Sequence, residues 1–184
     1  MLRARSKKIK VFFLFLIVIF SSILSVARAE SVQRIEVQGS PEFVKRTKEA
    51  LALLQNAREL GFVQRYIKII KEGERSGMRA FDEKPTYEVG AATWQHSALW
   101  YAGTIAHDSY HSKLYFDAKK GDKTPARSDW TGAEAERNCL EYQLKVLKAL
   151  KADKQTLDYV AAMQKNPTYQ GDPNSQKDYQ NRWW

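Results

Sequence analysis

The sequence predicts an α+β fold, with a small mixed or antiparallel sheet and one helix first, followed by a helical half. Two observations support this order. Short segments rich in β-branched and aromatic residues, typical of strands, lie before residue 91. From residue 97 onward the apolar residues recur with the 3.6-residue period of helices. No internal repeat interrupts this order, so we expect one domain over residues 30–164.

Four segments of the first half are predicted to be strands. They are Val32–Val37, Phe62–Ile70, Met78–Phe81 and Thr86–Ala91. Helix is an alternative for Ile67–Lys71. Between the first two strands, Ser40 and Pro41 are the expected N-cap and first residue of a helix. We expect Gly61 to end this helix at about residue 60.

Three helices are predicted in the second half. They cover residues 97–118, 132–152 and 156–164. Gly121 follows the first of them as a stop signal. Thr131 is the expected N-cap of the second, and Glu134 would complete its capping box. Residues 165–184 are predicted to form a polar C-terminal tail.

The first 29 residues have the composition of an export signal. Five basic residues precede an apolar run from Val11 to Val26, and Ala27-Arg28-Ala29 matches an A-x-A cleavage site. This run is shorter than the roughly 20 residues that span a bilayer. We therefore expect cleavage after Ala29 and a periplasmic or secreted protein. An uncleaved N-terminal membrane anchor is the alternative.

The charge of the chain argues against a nucleic-acid partner. Six basic residues and no acidic ones lie in residues 1–29, so cleavage lowers the formal net charge from +9 to +3. The remaining charge forms no strong block. We expect no nucleic-acid partner and, after cleavage, no stable membrane anchor. The single cysteine, Cys139, excludes an internal disulfide framework.

The motif H-D-x-x-H at residues 107–111 is the strongest chemical signal in the sequence. His107 and His111 are four positions apart within a predicted helix, so both imidazoles lie on one face and can share a metal ion. A catalytic zinc site usually has three protein ligands and leaves a fourth position for water. A third ligand is therefore required.

The next predicted helix offers three glutamates as the third ligand. The capping box accounts for Glu134, and a surface pair with a lysine accounts for Glu141. Glu136 instead shares the apolar face with Cys139, which we interpret as a small core residue. A buried carboxylate is costly unless it is paired or binds a metal. A Lys or Arg partner near the helix start is the alternative. The predicted Zn²⁺ ligands are His107, His111 and Glu136.

These residues resemble the gluzincin class of zinc metallopeptidases. In that class a H-E-x-x-H helix is followed by a helix with a ligand Glu in a context like E-x-x-A. Here A-E-R-N-C-L-E-Y-Q places Glu136 at the ligand position and Cys139 at the small position. The lead Y-A-G-T-I-A is also similar. The resemblance covers roughly Val32–Leu150. It implies a zincin-like peptidase, with Thr86–Ala91 as the edge strand for extended substrates.

Asp108 is the one departure from that motif, which has Glu after the first His. The resemblance implies that Asp108 is the general base, which takes a proton from the attacking water and passes it to the leaving amine. The Asp side chain is one methylene shorter than that of Glu, so its carboxylate lies about 1.5 Å farther from the attacking water. Such a displacement can cost ~100-fold in rate. Two outcomes are possible. In the first, a shift of the backbone or of the water compensates and the protein is a working enzyme. In the second, the domain keeps its metal and loses most of the catalytic activity.

The sequence therefore supports an exported zinc metallopeptidase that acts on a peptide or protein substrate, with Asp108 as its catalytic residue. The alternative is a catalytically weak or inactive zinc-stabilised binding module of the same fold. A third hypothesis is a metal-free structural or interaction domain, in which His107 and His111 are core histidines.

Overall fold

Four short strands form a mixed sheet in the first half of the protein. The computed structural model describes residues 34–119, 121 and 123–166, which belong to one compact unit. The strands are β1 (Glu36–Gln38), β2 (Ile69–Glu72), β3 (Gly77–Arg79) and β4 (Thr86–Val89), in the spatial order β1-β2-β4-β3. The first, second and fourth strands run parallel, and β3 is antiparallel to β4. The α+β class is confirmed, with a mixed sheet.

Six α-helices surround and follow this sheet in the described residues. They are α1 (Pro41–Asn56), α2 (Leu60–Tyr66), α3 (Ala91–Trp94), α4 (Ala98–Ala118), α5 (Ala133–Ala149) and α6 (Lys154–Lys165). Within the described part of the chain, none of the helices combines the length and the apolar composition needed to cross a membrane. The predicted export signal and nearly all of the predicted tail lie outside the described residues.

The start of α1 agrees with the sequence, whereas its end does not. The Ser40 side chain accepts a hydrogen bond from the Phe43 backbone N–H at 3.3 Å, and Pro41 is the first helical residue. The predicted end near residue 60 is wrong, because α1 ends at Asn56 and Arg58 has a left-handed φ of 62°. Gly61 lies inside α2 instead.

The predicted strand over residues 62–70 is also largely wrong. Its first part is the helix α2, and β2 begins only at Ile69. Val63 and Ile67 are completely buried, so packing against the core determines the local structure here. β-Branched and aromatic residues favour strands only weakly, and tertiary contacts override that preference.

The position of the predicted edge strand needs correction. The segment Thr86–Val89 pairs with β2 on one side and with β3 on the other, so it is an internal strand. The edge strands of the described sheet are β1 and the antiparallel strand β3. The first predicted strand, Val32–Val37, overlaps β1 only at Glu36 and Val37, and Val32 lies outside the described residues.

The helix α4 begins as predicted, but α5 does not. Ser97 caps α4 by accepting a hydrogen bond from the Trp100 N–H at 3.0 Å. The predicted N-cap Thr131 is wrong, because Gly132 occupies that position with a φ of 88°, which favours glycine. The Thr131 hydroxyl donates instead to the Arg127 carbonyl oxygen at 2.7 Å. The capping box is therefore absent, and Glu134 is exposed.

Helices α4 and α5 pack closely at Gly103. A Cβ atom on Gly103 would lie 2.9 Å from Leu147 Cδ2 and 3.4 Å from Gln143 Nε2. Glycine therefore lets α5 approach the axis of α4. His107 is one turn beyond Gly103 on the same helix face. The close approach brings α5 side chains within reach of both histidines.

Candidate metal centre

The two histidines of α4 meet at one point on its α5-facing side. The Nε2 atoms of His107 and His111 are 3.2 Å apart, and the ring centroids are 4.9 Å apart. Both side chains are largely buried, with 14% and 10% of their surface exposed. The spacing of four residues therefore places both imidazoles together, as the sequence predicted.

Glu136 brings a carboxylate to the same point from the first turn of α5. Its Oε1 is 3.0 Å from the Nε2 atom of His111, and its Oε2 is 3.2 Å from that of His107. Only 7% of the side chain is exposed. The structure thus brings together the three residues that the sequence selected as metal ligands, and two of the groups that the buried Glu136 contacts are the histidines.

The other ring nitrogens have acceptors that fix the orientation of both histidines. His111 Nδ1 lies 2.9 Å from the Trp130 carbonyl oxygen, and His107 Nδ1 lies 3.1 Å from Gln143 Oε1. Both oxygens only accept, so each Nδ1 carries the hydrogen. A ring that is neutral then presents an unprotonated Nε2 to the shared point, and a ring that is protonated carries a second hydrogen there. Metal-binding histidines typically have such an acceptor on the second nitrogen.

The thiol of Cys139 completes a group that the sequence reasoning missed. Ligand atoms of His107, His111 and Cys139 all lie within 4.8 Å of one another. Cys139 follows Glu136 by three residues, so both project from the same face of α5. This buried group can hold a metal ion. The i,i+3 spacing was visible in the sequence, although a buried Cys usually acts as a small core residue.

The charges of this cluster depend on one another. Burial opposes the charged form of His111, but Cys139 and Glu136 outweigh it and raise the pKa of His111 well above its usual value. Burial also opposes ionisation of Glu136, but His111 and His107 outweigh it and lower its pKa well below the usual range. Burial raises the pKa of the Cys139 thiol to about 11, against the opposing effect of His111. The cluster therefore favours a positive charge beside the carboxylate.

Asp108 directly follows His107 in α4, and its carboxylate lies near Tyr87 of β4. Burial raises its pKa, while His107 and His111 oppose this effect and Tyr87 of β4 interacts with the carboxylate. Asp108 is half-buried and lines the same cavity as the histidines. The structure therefore places the predicted base next to the cluster, but outside the group of converging ligand atoms.

A cavity of about 520 Å³ connects the cluster to the sheet edge. Ser76, Gly77 and Met78 line it along β3, and Tyr87 lines it from β4. Its apolar walls are formed by Phe81, Trp100, Tyr115, Trp130, Leu140 and Met163. The volume is that of a typical small-ligand or peptide side-chain pocket. The cavity therefore lies beside the edge strand β3, whereas the predicted edge strand β4 is internal.

Comparison with known proteins gave no match: no protein-family model, curated protein or solved structure is similar to this chain. The function of the chain is therefore inferred from the residues of the site.

Proposed function

We propose that the protein is an exported zinc metallopeptidase, in which His107, His111 and Glu136 hold the metal and Asp108 is the general base. One observation carries this proposal: two imidazole Nε2 atoms and a carboxylate converge within 3.2 Å in a buried site. When both rings are neutral, the Nδ1 acceptors leave both Nε2 lone pairs directed at the carboxylate, and a cation between these atoms removes the repulsion.

The chemistry of the donors fits zinc. Zn²⁺ prefers imidazole, thiolate and carboxylate ligands, and its sites usually keep hydrogen-bond acceptors behind the histidines. Gln143 and the Trp130 carbonyl are such acceptors. A proton on His111 is the metal-free source of positive charge, and it corresponds to the hypothesis of core histidines. Metal content distinguishes a zinc site from a metal-free pair of core histidines.

A bound zinc would supply an activated water and polarise the substrate carbonyl. The residues of the chain would do the rest. Burial raises the pKa of Asp108, which makes its carboxylate a better proton acceptor. Asp108 would take the proton from the attacking water and return it to the leaving amine. The free edge of β3 would align an extended peptide along the cavity, as β-strand addition does elsewhere.

The metal is tested by zinc analysis of the purified protein and two histidine variants. We expect about one zinc per wild-type chain and loss of zinc from His107→Ala. His96→Ala is the matched control, because His96 is exposed and distant in sequence from the motif. Absence of zinc from the wild type after mild purification, or full zinc content in His107→Ala, contradicts the proposal.

The chemistry is tested separately with a panel of unstructured peptide substrates. Asp108→Asn should retain zinc and lose about 100-fold or more in rate, since general-base catalysis typically contributes ~10²–10⁴-fold. Equal cleavage by the wild type and Asp108→Asn removes Asp108 from the mechanism. A zinc-containing wild type that cleaves no peptide rejects the peptidase and retains the metal.

The Cys139 thiol favours a second function, a zinc-stabilised binding module. Two histidines, a glutamate and a thiolate make four ligands, the number that closes a structural zinc site. A closed site has no position for water and no hydrolysis. Replacing zinc with Co²⁺ distinguishes the two functions: a thiolate-to-cobalt absorption band that is lost in Cys139→Ser indicates the closed site. An identical cobalt spectrum in both proteins supports the open one.

A further inference from the structure

The floor of the cavity contains a buried hydroxyl that has no partner. Tyr87 has no exposed surface, and its hydroxyl makes no hydrogen bond within the described residues. It nevertheless lines the cavity that contains the metal cluster. An unpartnered buried hydroxyl destabilises the folded state. Such a cost is common where a polar group is kept for a ligand.

The neighbouring hydroxyls are bonded elsewhere. Ser76 Oγ accepts from the Gly90 N–H at 3.1 Å and is 2.7 Å from Thr93 Oγ1. Thr104 Oγ1 donates to the Tyr101 carbonyl oxygen at 2.9 Å. Both lie near Tyr87, but their own bonds are directed at other atoms. Asp108 also lies near Tyr87, but no hydrogen bond joins its carboxylate to the Tyr87 hydroxyl, whose hydrogen therefore has no acceptor within the described residues.

The hydroxyl is a donor rather than an anion. Burial raises the pKa of Tyr87 well above its usual value, and the charge of Asp108 adds to this effect. The same Asp108 interacts with His107 and His111 on its other side. A ligand oxygen beside the cluster and Asp108 can thus reach the Tyr87 hydroxyl within one cavity.

We propose that the Tyr87 hydroxyl is a binding residue that donates a hydrogen bond to an oxygen of the peptide bound in the cavity, on the scissile carbonyl or the tetrahedral group formed from it. This inference rests on the proposed peptidase function. It adds a recognition group from the sheet to a site otherwise built from α4 and α5. The bond is made only with the ligand present, so it contributes to binding and not to folding.

The test compares Tyr87→Phe with Tyr101→Phe. Tyr101 is a matched control, because it is equally buried but shares a hydrogen bond of 3.0 Å with Thr47 and does not line the cavity. The probe is a phosphonamidate tripeptide with leucine side chains, titrated calorimetrically into zinc-loaded protein. Thermal unfolding of each variant is measured without probe, and zinc content is measured in parallel.

We expect Tyr87→Phe to bind the probe about 10- to 100-fold more weakly, the loss typical of a hydrogen bond to a charged oxygen. Its melting temperature should equal or exceed that of the wild type, since no native bond is lost. Tyr101→Phe should bind the probe normally and melt at a lower temperature. Both variants should retain zinc.

Three results overturn the inference while the metal centre stands. The first is wild-type affinity for the probe in Tyr87→Phe. The second is destabilisation of Tyr87→Phe as large as that of Tyr101→Phe, which shows that a structural partner holds the hydroxyl. The third is zinc-loaded wild type that binds no probe. Absence of zinc from the wild type is a different result, and it rejects the proposed function itself.

Discussion

The carboxylate of Glu136 provides the sharpest test of the metal centre, because Glu134, two residues earlier in the chain, is a matched control. Glu136 and Glu134 both lie in the first turn of α5, where each interacts with the same helix dipole. Glu136 is buried between the two imidazoles, whereas Glu134 is exposed. Changing either to Gln removes one negative charge from the same turn, but only Glu136→Gln removes a metal ligand.

The expected magnitude is the stabilisation that zinc gives to the folded state. Zinc at 100 times its dissociation constant stabilises by about 2.7 kcal/mol. If Glu136→Gln weakens binding by about 100-fold, the same zinc concentration stabilises by only about 0.4 kcal/mol. For a domain of this size, about 1 kcal/mol corresponds to roughly 2–4 °C. The zinc-induced rise in melting temperature should therefore fall from about 5–10 °C to about 1 °C.

The assay is thermal unfolding of wild type, Glu136→Gln and Glu134→Gln, each with chelator and with excess zinc. The difference between the two conditions is compared, because Glu136→Gln also breaks a buried ion pair and lowers metal-free stability by about 3–5 kcal/mol. Glu134→Gln should show the wild-type zinc increment. The assignment of Glu136 as a ligand is refuted if Glu136→Gln keeps the wild-type rise in melting temperature with zinc. It is also refuted if both variants lose that rise equally.

Three further predictions concern the scaffold of the site. Gly103→Ala places a methyl group 2.9 Å from Leu147 Cδ2. Overpacking costs about 1–3 kcal/mol, which outweighs the gain of about 1 kcal/mol from removing a helical glycine. The melting temperature and the zinc affinity should therefore both fall. Ser97→Ala removes the cap of α4 and should cost about 1 kcal/mol in denaturant unfolding, without changing zinc stoichiometry. Gln143→Leu removes the acceptor behind His107 and should weaken zinc binding by about 10- to 100-fold in a competition titration; unchanged affinity would show that Gln143 does not orient the ring.

The histidine pair could be predicted because its geometry is local. A spacing of four residues in a helix places two side chains on one face whatever the rest of the chain does. Glu136 was predictable for a related reason: its position on an apolar face indicated burial, and burial of a carboxylate requires a partner. Glu134 is exposed, but the capping box that set it aside is absent, since Gly132 rather than Thr131 caps α5.

The remaining parts of the site depend on contacts that the sequence does not encode locally. The acceptors behind the histidines come from a loop carbonyl at Trp130 and from Gln143 on α5. Tyr87 reaches the cavity because β4 lies inside the sheet, which follows from the pairing of β3 with β4. The helix α2 was missed because burial of Val63 and Ile67 outweighs the strand preference of their neighbours.

Asp108, the departure from the gluzincin motif, and Cys139 bear on the same question from opposite sides. A thiolate in the fourth ligand position leaves no water for Asp108 to deprotonate, so catalysis requires the thiol to stay protonated. Burial favours that form, since it raises the pKa of Cys139 to about 11. A bound metal favours the thiolate, because a coordinating thiol is deprotonated outright. Hydrolysis therefore depends on whether the sulfur enters the coordination shell, and the reach of Asp108 matters only if it does not.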